Sequence, residues 1–111
     1  EMCKTSWAKK HVIHITDIIP LEDLVKMYHD HDVIVYPSEG EGFGLIPLQA
    51  LATGMPVIST SRWCSYDKYF KDNIIESKLG KSKVTENYER FGNVVLSDLD
   101  SIIYQMTKFI P

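Results

Sequence analysis

Acidic side chains, spaced glycines and the start of an apolar helix are concentrated in one run, residues 37–54, which reads PSEGEGFGLIPLQALATG. Gly42 and Gly44 can both adopt backbone conformations that are closed to residues with a Cβ, so the main chain can approach a phosphate or a sugar closely. The amides of Phe43, Gly44 and Leu45 would be unpaired donors at the N-terminus of the following helix, which carries roughly half a positive charge. This arrangement favours an anion as the ligand.

The glycines alone fit two interpretations. They either shape a tight strand-to-helix turn for geometric reasons only, or they let a ligand reach the backbone. Glu39 and Glu41 favour the ligand, because a turn of the chain does not require a carboxylate at that point. The run is therefore a candidate binding site.

The stretch of residues 32–60, DVIVYPSEGEGFGLIPLQALATGMPVIST, resembles the donor-binding core of the retaining GT-B glycosyltransferases. The family motif, EGFGLPxLEAMAxGxPVI, matches residues 41–58 at most positions. The resemblance implies a hexosyltransferase that uses a nucleoside diphosphate sugar, retains the anomeric configuration and needs no metal or other cofactor. It also assigns Glu41 as the catalytic residue, on the donor sugar, and places Gly42, Phe43, Gly44 and Leu45 on the sugar and diphosphate and Gln49 on the ribose. Candidate base or loop contacts are Ser38, Arg62 and Trp63, because ligands of open parallel sheets gather beyond the carboxyl ends of the strands.

Gln49 departs from the family motif, which has a second glutamate at this position, separated from the first by seven residues. The resemblance implies that this position accepts hydrogen bonds from the ribose hydroxyls. Glutamine keeps one acceptor but loses the charge, so the contact weakens by roughly 1 kcal/mol, on the order of fivefold in affinity. The change leaves open a non-catalytic binding or scaffolding domain, or a shifted nucleotide pose.

Alternating strands and helices are expected to position these residues. The pattern predicts strands at residues 11–15, 33–36 and 57–60, with helices from Leu21 and at residues 44–53 between them. Strand, crossover helix and strand in this order make parallel βαβ units. The sequence therefore predicts an α/β, Rossmann-like three-layer α/β/α domain with a mainly parallel sheet, and the resemblance implies that it is half of a GT-B fold.

The second half of the chain continues this order less regularly. A polar loop at residues 59–66 holds Trp63, which could stack on a base or cover the edge of the core. A short helix at residues 66–70, strands at 74–79 and 93–96, and a charged excursion at 80–90 follow. Ser97 reads as the N-cap of the last helix, and Gly54 as the left-handed cap that ends the motif helix.

Composition restricts the function further. A net charge of −3 and a pI near 5.8 give no basic surface for nucleic acid, so no nucleic-acid partner is expected. No apolar run is long enough to span a membrane, and no secretory signal opens the sequence. Cys3 and Cys64 lie far apart, which fits a reducing compartment better than a disulfide scaffold and predicts a cytoplasmic protein.

At 111 residues the chain is expected to be one nucleotide-sugar-binding domain, residues 1–111. The resemblance implies a truncated domain whose partners are the nucleotide sugar, an unknown acceptor and the absent N-terminal acceptor lobe. Two Asp-x-Asp pairs, at residues 30–32 and 98–100, have the spacing of metal-dependent transferases. The first pair lies at the wrong end of a strand and the second is explained by helix capping, so no metal site is predicted.

Overall fold

The computed structural model describes residues 5–61, 63–81 and 93–111. These residues form the helices α1 (Ser6–His11), α2 (Leu21–His29), α3 (Leu45–Ala52) and α4 (Leu99–Thr107), together with a 3-10 helix at Asp67–Phe70. The strands are β1 (Ile34–Tyr36), β2 (Val57–Thr60), β3 (Ile74–Ile75), β4 (Ser77–Gly80) and β5 (Val94–Ser97). No helix in this part of the chain is long and apolar enough to cross a membrane.

The strands form two sheets. Strands β1, β2 and β3 pair in that order and all run parallel, while β4 and β5 form an antiparallel pair. Helix α3 connects β1 to β2 and packs on both, and α4 contacts β2 and β3. The predicted α/β, Rossmann-like class with a mainly parallel sheet is confirmed.

The core lies around the central strand β2, all four residues of which are buried. A strand that is covered on both faces must consist of apolar or internally bonded residues, and this one reads VIST. Helices α2 and α3 supply further members of the main cluster, which contains Tyr28, Ala50, Met55, Val57, Tyr66 and Phe70.

Helix α3 ends as its sequence predicts. Gly54 has a φ of +83°, the left-handed conformation that glycine adopts without a Cβ penalty. Its amide donates to Leu51, and the amide of Met55 donates to Ala50, both at 3.0 Å. These two bonds are those of a Schellman motif, and the side chain of Met55 then enters the core beside Ala50.

The strand predicted at residues 11–15 is wrong. Helix α1 extends to His11, and residues 12–16 form irregular, exposed chain in which Ile13 is 87% exposed. A β-branched composition indicates a strand only where a second strand supplies hydrogen bonds and packing. Within the described residues, no strand pairs with this segment.

Two further boundaries differ from the prediction. The strand expected at residues 74–79 is divided at Glu76 into β3 and β4, which belong to different sheets. Ser97 is the last residue of β5 instead of an N-cap, because it pairs with Ser77, and Asp98 caps α4 by accepting a hydrogen bond from the Ser101 amide at 2.8 Å. Most of the predicted excursion at residues 80–90 lies outside the described residues.

Candidate functional site

The loop of residues 37–44 joins the carboxyl end of β1 to the N-terminus of α3. It is tied to its neighbours through its backbone, since the hydroxyl of Thr60 donates to the Ser38 carbonyl and the Val95 amide donates to the Glu39 carbonyl, both at 2.8 Å. Open parallel sheets bind ligands beyond the carboxyl ends of their strands, which is where this loop lies.

Glu41 lies on the wall of an open cavity of about 330 Å³. Its Oε1 atom accepts hydrogen bonds from the hydroxyls of Tyr36, at 2.6 Å, and Ser38, at 2.9 Å. The hydrogen bond to the Glu41 carboxylate, together with burial, raises the pKa of Tyr36 to about 12. The cavity is lined by Tyr36, Glu41, Phe43, Gly44, Leu45 and Ile46.

Free backbone donors lie on the same cavity. Gly44 is the N-cap of α3, and the first helical bond runs from the Leu48 amide to its carbonyl at 3.4 Å. Within the described part of the chain, no acceptor pairs with the amides of Phe43, Gly44 and Leu45. Buried Pro47 occupies the first turn, where a missing N–H removes no helical bond. A carboxylate and unpaired helix-terminal amides therefore share one opening, and the binding of an anion there stays a prediction.

The two glycines differ in what the backbone requires of them. Gly44 has a φ of +77°, and a Cβ built on it would lie 2.6 Å from the Tyr66 hydroxyl oxygen and 2.7 Å from Cη2 of Trp63. Gly42 has no positive φ, and no atom lies within 4 Å of its ideal Cβ position. Of these two, Gly44 alone must be glycine for the fold, and Gly42 does not use the conformational freedom that glycine offers.

Gln49 does not belong to this opening. It is half-buried on α3 and is not among the residues that line the cavity. The hydroxyl of Tyr28 donates to its Oε1 at 3.4 Å, a long hydrogen bond. The cavity thus brings together Glu41, Phe43, Gly44 and Leu45 but not Gly42, and Gln49 lies on the α2 side of the same helix. Its role at the ribose stays a prediction, and Arg62 lies outside the described residues.

Two aromatic residues, Trp63 and Tyr66, pack against the end of the loop. Trp63 is half-buried, packs against the core cluster and donates its ring N–H to the Thr60 hydroxyl at 2.9 Å. Tyr66 is buried beside it, with ring centroids 6.2 Å apart and edge-on, and its hydroxyl donates to the carbonyl of Gly44. Trp63 therefore covers the core edge, one of the two alternatives that its sequence position left open, and its contact with a base stays a prediction.

Sequence patterns missed Tyr36 and Tyr66. Tyr36 is the last residue of an apolar strand that ends at the site, and a hydroxyl at such a strand end is the signal that could have identified it. Tyr66 gives no comparable signal, because 22 residues separate it from Gly44. Its contact depends on how the 3-10 helix returns toward α3.

Metal ligands are not assembled in the described ranges 5–61, 63–81 and 93–111, where no group of three or more His, Cys, Asp or Glu side chains could hold an ion. Asp98 is occupied as the α4 cap, as predicted for its pair. Metal independence itself stays a prediction.

Comparison with known proteins places these features in a family context. The family model described as glycosyl transferases group 1 matches residues 4–96, most of the chain. A D-inositol 3-phosphate glycosyltransferase of Corynebacterium urealyticum is 51% identical over 41 residues, which make up 37% of this chain and 10% of the relative. The lipopolysaccharide core biosynthesis mannosyltransferase LpsB of Rhizobium meliloti is 54% identical over 33 residues, 30% of this chain and 9% of the relative.

An uncharacterised glycosyltransferase of Methanocaldococcus jannaschii is 36% identical over 52 residues, 47% of this chain and 13% of the relative. The matched segments thus span about a tenth of the length of these relatives. No solved structure matches the chain.

Proposed function

The chain belongs to the glycosyl transferases group 1 family, and we propose that it is the donor-binding part of an enzyme that moves a hexose from a nucleoside diphosphate sugar to an acceptor. The resemblance found in the sequence is confirmed at the level of the family. One observation carries the proposal: Glu41 and the unpaired amides at the start of α3 share a single cavity.

The departing diphosphate sets the chemical task of this site. Negative charge develops on its oxygens as the bond to the sugar breaks. The amides of Phe43, Gly44 and Leu45 are fixed in place before the reaction, so they stabilise that charge without reorganising. Glu41 accepts hydrogen bonds from the hydroxyls of the sugar and holds its reacting carbon in place. In this proposal the sugar is transferred with retention and without a metal ion.

The names of the relatives support sugar transfer. One relative is named a D-inositol 3-phosphate glycosyltransferase and another a mannosyltransferase, so transfer of a hexose is consistent with both. The proposal includes an acceptor-binding lobe elsewhere in the complete protein, since the chain spans about a tenth of these relatives in the matched regions. We therefore expect transfer activity from the complete protein and only donor binding from the present chain.

Gln49 supports a second candidate, a non-catalytic domain that binds nucleotide sugars. The side chain lacks the charge that the family motif supplies, and its amide oxygen is engaged by Tyr28 instead of facing the cavity. Such a domain would still bind the diphosphate at the anion site, but its affinity for the ribose would be lower.

Donor binding and turnover distinguish the two candidates. We expect a thermal-shift panel of UDP, GDP and ADP sugars to identify one stabilising donor, which adds about 2.7 kcal/mol at a hundred times its dissociation constant. Glu41→Ala in the complete protein should lower the rate of transfer by about one to three orders of magnitude, because the sugar loses its positioning contact. Glu39→Ala is the matched control, since this exposed carboxylate lies in the same loop and does not line the cavity.

Each result has a defined meaning. Near-normal turnover of Glu41→Ala would refute the role assigned to that carboxylate. Donor binding without transfer across a broad acceptor panel would favour the non-catalytic domain. Loss of activity on chelation would replace the metal-independent mechanism with a metal-dependent one.

A further inference from the structure

The Glu41 carboxylate is held asymmetrically. Both hydroxyl donors, Tyr36 at 2.6 Å and Ser38 at 2.9 Å, bond to the same oxygen, Oε1. Among the described residues, no group donates to Oε2. One carboxylate oxygen is thus fixed by the protein while the other is available on the cavity wall.

The two donors are themselves anchored to the centre of the sheet. Ser59 and Thr60 are fully buried polar residues of β2, each 0% exposed. The Ser59 hydroxyl donates to the Tyr36 carbonyl at 2.7 Å, and the Thr60 hydroxyl donates to the Ser38 carbonyl at 2.8 Å. A buried hydroxyl must find a partner, and these two find theirs on the residues that hold Glu41. The position of the carboxylate is therefore connected to β2, in which all four residues are buried.

The Tyr36 ring adds a second constraint. It is half-buried, and its centroid lies 6.1 Å from that of Trp63, within the range of favourable aromatic contacts. The ring therefore has little freedom to move its hydroxyl away from Glu41. Exposed glutamates otherwise sample several rotamers, and such freedom weakens any contact that the carboxylate makes with a ligand.

We propose that Tyr36 and Ser38 are positioning residues that hold Oε1 of Glu41 against the end of β1, so that Oε2 is presented to the hydroxyls of the donor sugar. This inference rests on the proposed function. It goes beyond it because neither hydroxyl needs to touch the donor, and both act through Glu41.

Tyr36→Phe tests the proposal in the complete protein, because it removes the hydroxyl and keeps the ring that packs on Trp63. The affinities for the stabilising nucleoside diphosphate sugar and for the same nucleoside diphosphate without sugar are measured by calorimetry. We expect the affinity for the sugar nucleotide to fall about tenfold, as for loss of one hydrogen bond to a charged group. The affinity for the nucleoside diphosphate should stay within about twofold, because the amides of α3 are untouched. Ser38→Ala should also lower the affinity for the sugar nucleotide, but its hydroxyl bonds to the Gly40 carbonyl at 3.1 Å and to the Gly40 amide at 3.3 Å as well, so Tyr36→Phe is the cleaner test.

Tyr104→Phe is the matched control. This tyrosine is 64% exposed on α4, and within the described residues its hydroxyl makes no hydrogen bond, so both affinities should be unchanged. A second test places Tyr36→Phe in a Glu41→Ala background, where it should have no further effect on sugar-nucleotide binding.

Three outcomes would overturn the inference. Equal loss of affinity for both ligands would show that the hydroxyls only fasten the loop. Unchanged affinities in Tyr36→Phe and Ser38→Ala would show that Glu41 holds its position without them. Additive losses in the Glu41→Ala background would show that Tyr36 acts independently of Glu41. If the wild-type protein binds no sugar nucleotide, the proposed function itself fails, and that result is distinct from a variant that matches a binding wild type.

Discussion

Replacing Gly44 with alanine should cost this fold more than alanine at any other glycine of the site loop. The position combines a positive φ of +77° with a Cβ site that is already occupied, 2.6 Å from the Tyr66 hydroxyl oxygen and 2.7 Å from Cη2 of Trp63. Neither neighbour can withdraw freely. Tyr66 is buried and bonded to the Gly44 carbonyl, and Trp63 is packed on the core and bonded to Thr60.

Two separate contributions determine how much stability Gly44→Ala should lose. A residue with a Cβ in the left-handed conformation costs roughly 1–2 kcal/mol. Overpacking of a side chain against a filled site costs typically about 1–3 kcal/mol. Gly44→Ala should therefore lower the free energy of unfolding by about 2–5 kcal/mol, a large part of the roughly 5–15 kcal/mol that a natural domain has.

Two other glycines separate these contributions. Gly54 has a φ of +83° and no atom within 4 Å of its ideal Cβ, so Gly54→Ala should show the conformational cost alone, about 1–2 kcal/mol. Gly42 has neither constraint, and Gly42→Ala should change stability by no more than about 1 kcal/mol, with stabilisation expected from the stiffer unfolded chain. The expected order of stability is Gly42→Ala above Gly54→Ala above Gly44→Ala.

Urea unfolding followed by tryptophan fluorescence is a suitable assay, because Trp63 lies against Gly44 itself. The chain has one other tryptophan, Trp7, which is 65% exposed, and a Trp7→Phe background leaves Trp63 as the reporter. Equal unfolding midpoints and slopes for Gly44→Ala and Gly54→Ala would refute the steric contribution. Equal midpoints for Gly44→Ala and Gly42→Ala would refute both contributions.

Two further predictions concern the side chains around the cavity. Gln49→Glu restores the carboxylate of the family motif. If this side chain reaches the ribose, the affinity for the sugar nucleotide, measured by calorimetry, should rise about fivefold. An unchanged or lower affinity would show that the side chain stays with Tyr28. The pKa of Tyr36, raised to about 12, should fall toward 10 in Glu41→Gln. The pKa is measured from the phenolate absorbance, and the part of that absorbance that is lost in Tyr36→Phe belongs to Tyr36. An unchanged titration would contradict the hydrogen bond. Since the pKa is raised in the folded state, this group's contribution to stability is complete below pH 10 and is lost as the pH rises toward about 12.

Sequence patterns predicted the motif region well, because local rules determine it. The apolar residues before Pro37 form β1, and the run that follows forms α3, with Gly54 as its left-handed cap. In each case the signal lies within a few residues of the element that it predicts. Glu41, Phe43, Gly44 and Leu45 line one cavity for the same reason, since they are close in sequence and lie at one helix N-terminus, while their contacts with a ligand stay predictions.

Contacts between distant residues were not predictable in this way. Residues 11–15 have a strand-like composition, yet whether they form a strand depends on a partner elsewhere in the chain. Tyr66 bonds to Gly44, which lies 22 residues earlier in the sequence, and Thr60 bonds to the Ser38 carbonyl at the same sequence separation. Gln49 was expected at the cavity from its motif position alone, while its side-chain direction depends on the packing of α2 against α3, where Tyr28 meets it.

Gly42 and Gly44 of the site loop carry different weight as evidence for a ligand. Gly44 is fully explained by the fold, since its φ and its contacts with Trp63 and Tyr66 would require glycine in a protein that bound nothing. Gly42 has no such explanation, because its backbone is ordinary and the space around its Cβ position is open. An open position beside unpaired amides is what close approach of a diphosphate requires. Gly42→Ala should therefore leave the fold intact and weaken binding of the nucleoside diphosphate, and wild-type affinity in that variant would mean that the ligand does not pass over this residue.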